Sequence, residues 1–151
     1  MVEWGILVVV VRVLAGVFGR QVRVVQGQAE RASVQSTLGA LRTAFVVDHL
    51  QQAVNASKSL VAVPQRNPFL LLKALPANYA GEFAVLKMDA LAPGSWVFDP
   101  DCGCIGYLLL YPQWLESPLD TTAVWFRIGV PPEALQITPS KAYVWQGQLL
   151  N

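Results

Sequence analysis

The chain has 151 residues, room for one domain and an appendage, and a formal net charge of +1. Charged residues make up 14%, against a usual share of about 25%, and the near-neutral balance leaves no electrostatic footprint for a nucleic-acid partner. Apolar residues reach 54% and mean hydropathy is +0.41, which points to a membrane segment or a shielded surface, while two cysteines are too few to build a disulfide scaffold.

Residues Met1 to Gly19 read MVEWGILVVVVRVLAGVFG and are apolar apart from Glu3 and Arg12. As a helix rising about 1.5 Å per residue, this stretch covers a bilayer's hydrocarbon core. A secretory signal peptide would carry basic residues first and a small-x-small cleavage site last. Here Met1, Val2 and Glu3 bring no positive charge, and Ala15-Gly16-Val17 is a poor site. A buried helix of a soluble protein is the other rival. Arg12 sits near the middle, where a cation facing lipid costs about 2.5–3.5 kcal/mol. The segment therefore makes more sense beside neighbouring helices that take up its charges. Arg20, Arg23 and Arg31 follow the span and would favour keeping that side in the cytoplasm.

No proline occurs between Met1 and Val63, and Arg20 to Val54 is rich in good helix formers. Val34, Leu38, Leu41 and Phe45 form an apolar stripe at spacings of four, three and four. Leu50 and Val54 extend it with a phase shift. Gln28, Arg31, Gln35, Arg42 and Gln52 mark the polar side, and Glu30 is assigned to a solvated face. The helix is expected to end near Asn55-Ala56-Ser57. Three parts follow: a membrane or filament-core half (1–19), an amphipathic half (20–58) and a β-rich head (59–151).

All ten prolines lie in the head. Pro68 to Leu75 reads as a short helix with proline in its first turn. Pro76 to Glu82 reads as a turn-rich link. Ser95–Phe98, Ile105–Tyr111 and Ala123–Val130 read as strands, with Asp99-Pro100-Asp101-Cys102-Gly103-Cys104 as a hairpin turn. Such runs favour an antiparallel sheet lying on Leu38, Leu41 and Phe45. Ala142 to Trp145 is a candidate edge strand. The predicted fold class is α+β: a long N-terminal α-helix, membrane-embedded in its first half, packed on a small antiparallel β-sheet head.

These features resemble the type IV pilin and type II secretion pseudopilin superfamily. The likeness rests on the apolar helix with a glutamate near its start, its unbroken amphipathic continuation through Gln28–Val34 and Leu38–Arg42, and the small sheet. Asn67-Pro68, Pro76–Glu82 and Gly94–Asp99 add likeness to a pseudopilin-like subgroup. The family's basic leader ending in glycine does not stand before Glu3: neither Gly5 nor Gly16 has a glutamate five residues on. The expectation is a leader omitted from this start, or an unprocessed variant. A basic leader would hold the N-terminus in the cytoplasm and the head outside. Arg20 stands where many members have a helix-bending proline, and Arg12 where the family core is apolar.

The resemblance implies a pilin-like fold with a structural role, while the residues themselves lead to the expectation of no catalytic residue, no cofactor and no metal. It implies assembly with other pilin or pseudopilin subunits through the N-terminal helix, in contact with inner-membrane lipid, with the head in the periplasm. Glu3 would neutralise the N-terminal amine of a neighbouring subunit, and Arg12 could pair with Glu3 of an adjacent copy. A dipole-favoured helix-start residue is the plainer role for Glu3.

Candidate chemistry elsewhere is sparse. Cys102 and Cys104 are a candidate disulfide pair or plain turn residues; a structural zinc site needs four ligands. His49 follows Asp48 without a nucleophile at a suggestive spacing. Asp99, Asp101 and Asp120 do not form the dense oxygen set calcium requires. Trp96, Trp114, Trp125 and Trp145 read as sheet-core and subunit-contact residues. No phosphate-cradling glycine motif or small-molecule site is evident. The leading expectation is a minor pilin or pseudopilin. The alternative is a single-pass membrane protein with a periplasmic binding or scaffolding head and no filament.

Overall fold

The computed structural model describes residues 2–55, 67–83, 90–116, 121–129 and 136–150. Helix α1 runs from Val2 to Asn55, 54 residues without a break. At about 1.5 Å per residue it is about 80 Å long. The helix expected up to Asn55 is present, Ala56 and Ser57 of the expected stop lie outside the described residues, and the continuity of α1 follows from a stretch free of proline.

The two ends of α1 live in different surroundings. Every residue from Trp4 to Arg23 is exposed. From Val24 onward one face is covered: Gly27, Glu30, Val34, Leu38 and Leu41 are buried, and Phe45 is half-buried. The 3-4 spacing of the predicted stripe keeps these residues on one side. Leu50 and Val54 do not continue it; they are 58% and 77% exposed. Five residues past Phe45 rotate the helix by roughly 140°, away from the head.

The polar side also needs correction. Gln28 and Gln35 are exposed, but Arg31, Arg42 and Gln52 are half-buried. Arg42 donates through Nε and Nη2 to the Ile137 carbonyl at 3.0 and 2.8 Å. Arg31 donates to the Gln148 side chain. Long cationic side chains here lie along the head and deliver their charge to its polar groups.

The head begins with a 3₁₀ turn, Pro68–Leu71, shorter than the helix expected. Asn67 caps it, accepting the Phe69 N–H at 3.0 Å. The same side chain donates to Tyr79 Oη at 2.7 Å and Glu82 Oε1 at 2.9 Å, tying this turn to the next strand. That strand, β1 (Tyr79–Glu82), lies in the segment read as a link. It pairs parallel to β2 (Trp96–Asp99), so the sheet is mixed. β3 (Cys104–Leu108), β5 (Ala123–Ile128) and β6 (Ile137–Pro139) complete an otherwise antiparallel sheet in the order β1-β2-β3-β5-β6. A second 3₁₀ turn, Pro112–Trp114, leads into β4 (Leu115–Glu116).

Alternation decides which side chains meet the helix. Trp96, Tyr107 and Val124 stand in one cross-strand row, and Phe98, Ile105 and Phe126 in the next. All six belong to the core with Val34, Leu38 and Leu41. Trp96 anchors an aromatic cluster, its ring centroid 4.8 Å from that of Tyr107 and 6.0 Å from that of Phe69.

The C-terminal edge strand takes another place. β7 (Val144–Trp145) pairs with β4 and β8 (Gln148–Leu149) in a separate three-stranded sheet. Gln146 and Gly147 join β7 to β8 with φ of 50° and 73°. Two positive φ values in a two-residue loop give the turn whose twist suits a hairpin. Trp145, fully buried, seals this small sheet onto the core.

Candidate functional site

Among the described residues, the front of α1 carries a long run of exposed apolar side chains. Ile6, Leu7, Val8, Val9, Val10 and Val11 are each about half exposed or more. Apolar side chains surround the helix on all sides here, a pattern that suits lipid or a bundle core rather than water. Trp4–Asn55 is long and apolar enough to cross a membrane. Arg12 is exposed within this apolar surface. The side chain of Glu3 lies outside the described residues. Nine residues separate the two, which places their Cα atoms on opposite sides of the helix and about 13.5 Å apart along it. Helix geometry therefore does not bring Glu3 and Arg12 of one chain together.

Where the head meets the helix, three contacts fix the junction. Gln146 Nε2 donates to the Val24 carbonyl at 3.3 Å. Trp114 lies against Gly27; a Cβ on that glycine would fall 2.8 Å from the indole Cδ1. One turn further, Glu30 is 5% exposed, contrary to its expected solvated place. Its Oε1 accepts the Leu110 N–H at 2.6 Å and the Tyr107 hydroxyl at 3.2 Å. Its Oε2 accepts the Tyr111 N–H at 3.2 Å. Desolvation by burial raises the carboxyl above its ordinary value, and these three donors pull it part of the way back. Tyr107 is raised as well, by burial first and then by the carboxylate beside it.

The sequence carried a signal for Glu30 that composition hid. It stands four residues before Val34 and so falls in the phase of the buried stripe. Gly27 lies three residues earlier on the same side. Asn67 carries a local signal too, since an Asn directly before a proline is a capping pattern.

A disulfide joins Cys102 and Cys104 across Gly103, with Cα atoms 5.2 Å apart, at the β2–β3 turn. His49 and Asp48 are half-buried on α1. Trp96 and Trp145 are core, whereas Trp114 and Trp125 are half-buried. Trp4 is 78% exposed on the apolar front of the helix. An open groove between α1 and the first 3₁₀ turn is lined by Ala40, Ala44, Val47, Leu71 and Leu72. Among the described residues, no group of three or more His, Cys, Asp or Glu could hold a metal ion.

No family model matches the chain, and no curated protein or solved structure matches it. The class is set by architecture: a single N-terminal apolar helix packed through its second half on a small β-sheet. That arrangement is consistent with a membrane-anchoring helix that carries a sheet domain.

Proposed function

We propose that the chain is a structural subunit of the pilin or pseudopilin kind, assembling through its N-terminal helix in a type IV pilus or type II secretion machine. One observation carries this reading. A continuous α1 is wholly uncovered from Trp4 to Arg23 and then becomes one wall of the head core. Burying a large apolar side chain is worth about 1.5–3 kcal/mol relative to leaving it in water. So many such side chains in series need lipid or copies of the same helix around them. Arg12 favours copies over lipid alone, because a bundle can supply a carboxylate. Glu3 of an adjacent subunit is the proposed source, and it would also neutralise a free N-terminal amine. The subunit sits in a bacterial inner membrane with its head in the periplasm. It works by assembly rather than catalysis.

The second reading is a single-pass membrane protein with a scaffolding head. It draws on the same exposed helix and needs no neighbours. Paired cysteines separate the two. Val8→Cys and Val17→Cys lie nine residues apart, on opposite sides of α1. In membranes expressing the full chain, a bis-maleimide should give each single variant dimers and the double variant a ladder. Monomer throughout would favour the scaffolding protein.

A further inference from the structure

The β2–β3 turn carries a feature that neither anchoring nor assembly uses. Its disulfide spans one residue, Gly103, at an accessible tip: Cys102 is exposed and Cys104 half-buried. A disulfide steadies a fold chiefly by shortening the free loops of the unfolded chain, and the gain grows with loop length. This loop is near the shortest a disulfide can close. The ends it joins are already held, by the pairing of Asp99 with Cys104 and by the Asp101 N–H, which donates to Asp99 Oδ1 at 2.9 Å. The core lies on the other face of the sheet. The bond is thus nearly redundant for folding, yet open to attack.

Its surroundings are also unequal. Asp99, Cys104 and Arg127 stand in register across β2, β3 and β5. Alternation puts this row on the face away from α1, since Phe98, Ile105 and Phe126 point into the core. Arg127 is exposed and faces Cys104 from one side. Asp99 faces it from the other, its carboxylate engaged by the turn. A guanidinium beside a cysteine favours the thiolate, and a stabilised thiolate is the better leaving group.

We propose that Cys102–Cys104 is a reversible redox site that exchanges electrons with an external dithiol. A thiolate of the dithiol attacks the exposed Sγ of Cys102. The Cys102–Cys104 bond breaks and Cys104 leaves with the electron pair as a thiolate beside Arg127. The dithiol's second thiolate then attacks its own sulfur in the mixed disulfide and releases Cys102. The dithiol ends as a disulfide. The chain gains two electrons and, as its thiols protonate, two protons.

The full-length protein in detergent tests this by maleimide mass shift after acid quenching. Dithiothreitol stands in for a small dithiol and reduced thioredoxin for a protein one. Either should open the bond under native conditions within minutes, with the near-UV circular dichroism of the head retained. Faster exchange with thioredoxin at equal thiolate concentration assigns a protein partner; exchange with dithiothreitol alone assigns a small one. Arg127→Gln should slow opening several-fold and move alkylation of the reduced Cys104 to higher pH, and Arg127→Lys should restore both. The double variant Cys102→Ser/Cys104→Ser should keep the native spectrum. A bond that opens only in denaturant, a head that unfolds on reduction, or an Arg127→Gln variant with unchanged rate and pH profile would overturn the proposal.

Discussion

The Leu110 N–H donates to Glu30 Oε1 at 2.6 Å, joining the loop after β3 to α1 across 80 positions of chain. With the Tyr107 hydroxyl and the Tyr111 N–H on the same carboxylate, one side chain of the helix satisfies three donors of the head. Buried donors left without a partner cost about 1–3 kcal/mol each. Glu30→Ala should therefore destabilise the head by about 2–4 kcal/mol. Glu30→Gln keeps the shape and one acceptor oxygen, so its loss should be about half as large. Chemical denaturation of the full chain in detergent, followed by tryptophan fluorescence, checks both; equal midpoints for all three proteins would remove Glu30 from the junction.

Glu30 also predicts a pH dependence with a definite sign. Its carboxyl is raised in the folded chain, so the folded state holds that proton more tightly than the unfolded state. Its contribution to stability is greatest below the unfolded carboxylate value of about 4.3. It falls as pH climbs through the window up to the raised folded value, and is flat above that. Other carboxylates titrate nearby, so the quantity to measure is the difference from Glu30→Gln across pH 4 to 8. Wild type should lose its relative advantage as pH rises. A difference that grows with pH would reverse the assignment of desolvation as the leading cause.

Gly27 is the point of closest approach between helix and head. An added Cβ would meet Gln146 Nε2 at 2.5 Å as well as the Trp114 ring. Ala is the better helix former by about 1 kcal/mol, so propensity alone predicts that Gly27→Ala stabilises. Overpacking costs about 1–3 kcal/mol and should win, because the indole is packed against the core and has little room to shift. The Trp114 N–H is buried without a protein partner, so it has no bond to guide it to a new position. Limited proteolysis at the junction should speed up in Gly27→Ala, whereas Gly39→Ala, whose Cβ meets nothing within 4 Å, should behave as wild type or better.

The parts of this fold that could be read in the sequence are those with a local cause. The long helix follows from 63 residues without proline, and the stripe from its 3-4 spacing. β2, β3 and β5 are apolar runs bounded by turn residues. β1 was hidden because Asn78 and Gly81 read as turn residues, and its parallel partner β2 lies far enough along the chain that no hairpin signal links them. β6 ends in Pro139, which an edge strand tolerates but a sequence reading discounts. The second sheet is assembled from two-residue strands, too short to show any period. Glu30 reads as solvated in the sequence because carboxylates are seldom buried unless paired. Its partners are a tyrosine hydroxyl and two backbone N–H groups, 77 to 81 residues away, which no local pattern announces.

The reach of the buried stripe can be tested by two leucines. Leu38 is fully buried and Leu50 is 58% exposed. Leu38→Ala removes packed atoms and leaves a cavity, for an expected cost of about 2–5 kcal/mol. Leu50→Ala, facing away from the head, should change stability by no more than about 0.5 kcal/mol. Thermal unfolding of the two variants under one set of conditions gives the answer. Similar losses at both positions would mean that the head covers more of α1 than the stripe through Phe45.

Arg12 gives the sharpest test of assembly, because its partner must come from another chain. Removing one member of a buried ion pair leaves the other uncompensated, at a cost of about 3–5 kcal/mol. Under the proposed pairing, Glu3→Ala strands Arg12 and should sharply reduce cross-linked oligomers in the membrane. Arg12→Leu strands Glu3 and should do the same, while making insertion of the lone helix easier. The double variant Glu3→Ala/Arg12→Leu leaves no charge behind and should recover part of the assembly lost by either single change. Head unfolding should be unaffected in all three, since Trp4 to Arg23 are all exposed and the core begins on α1 only at Val34. If the two single losses simply add in the double variant, the residues act independently, and Glu3 is left with the plainer role of a helix-start carboxylate.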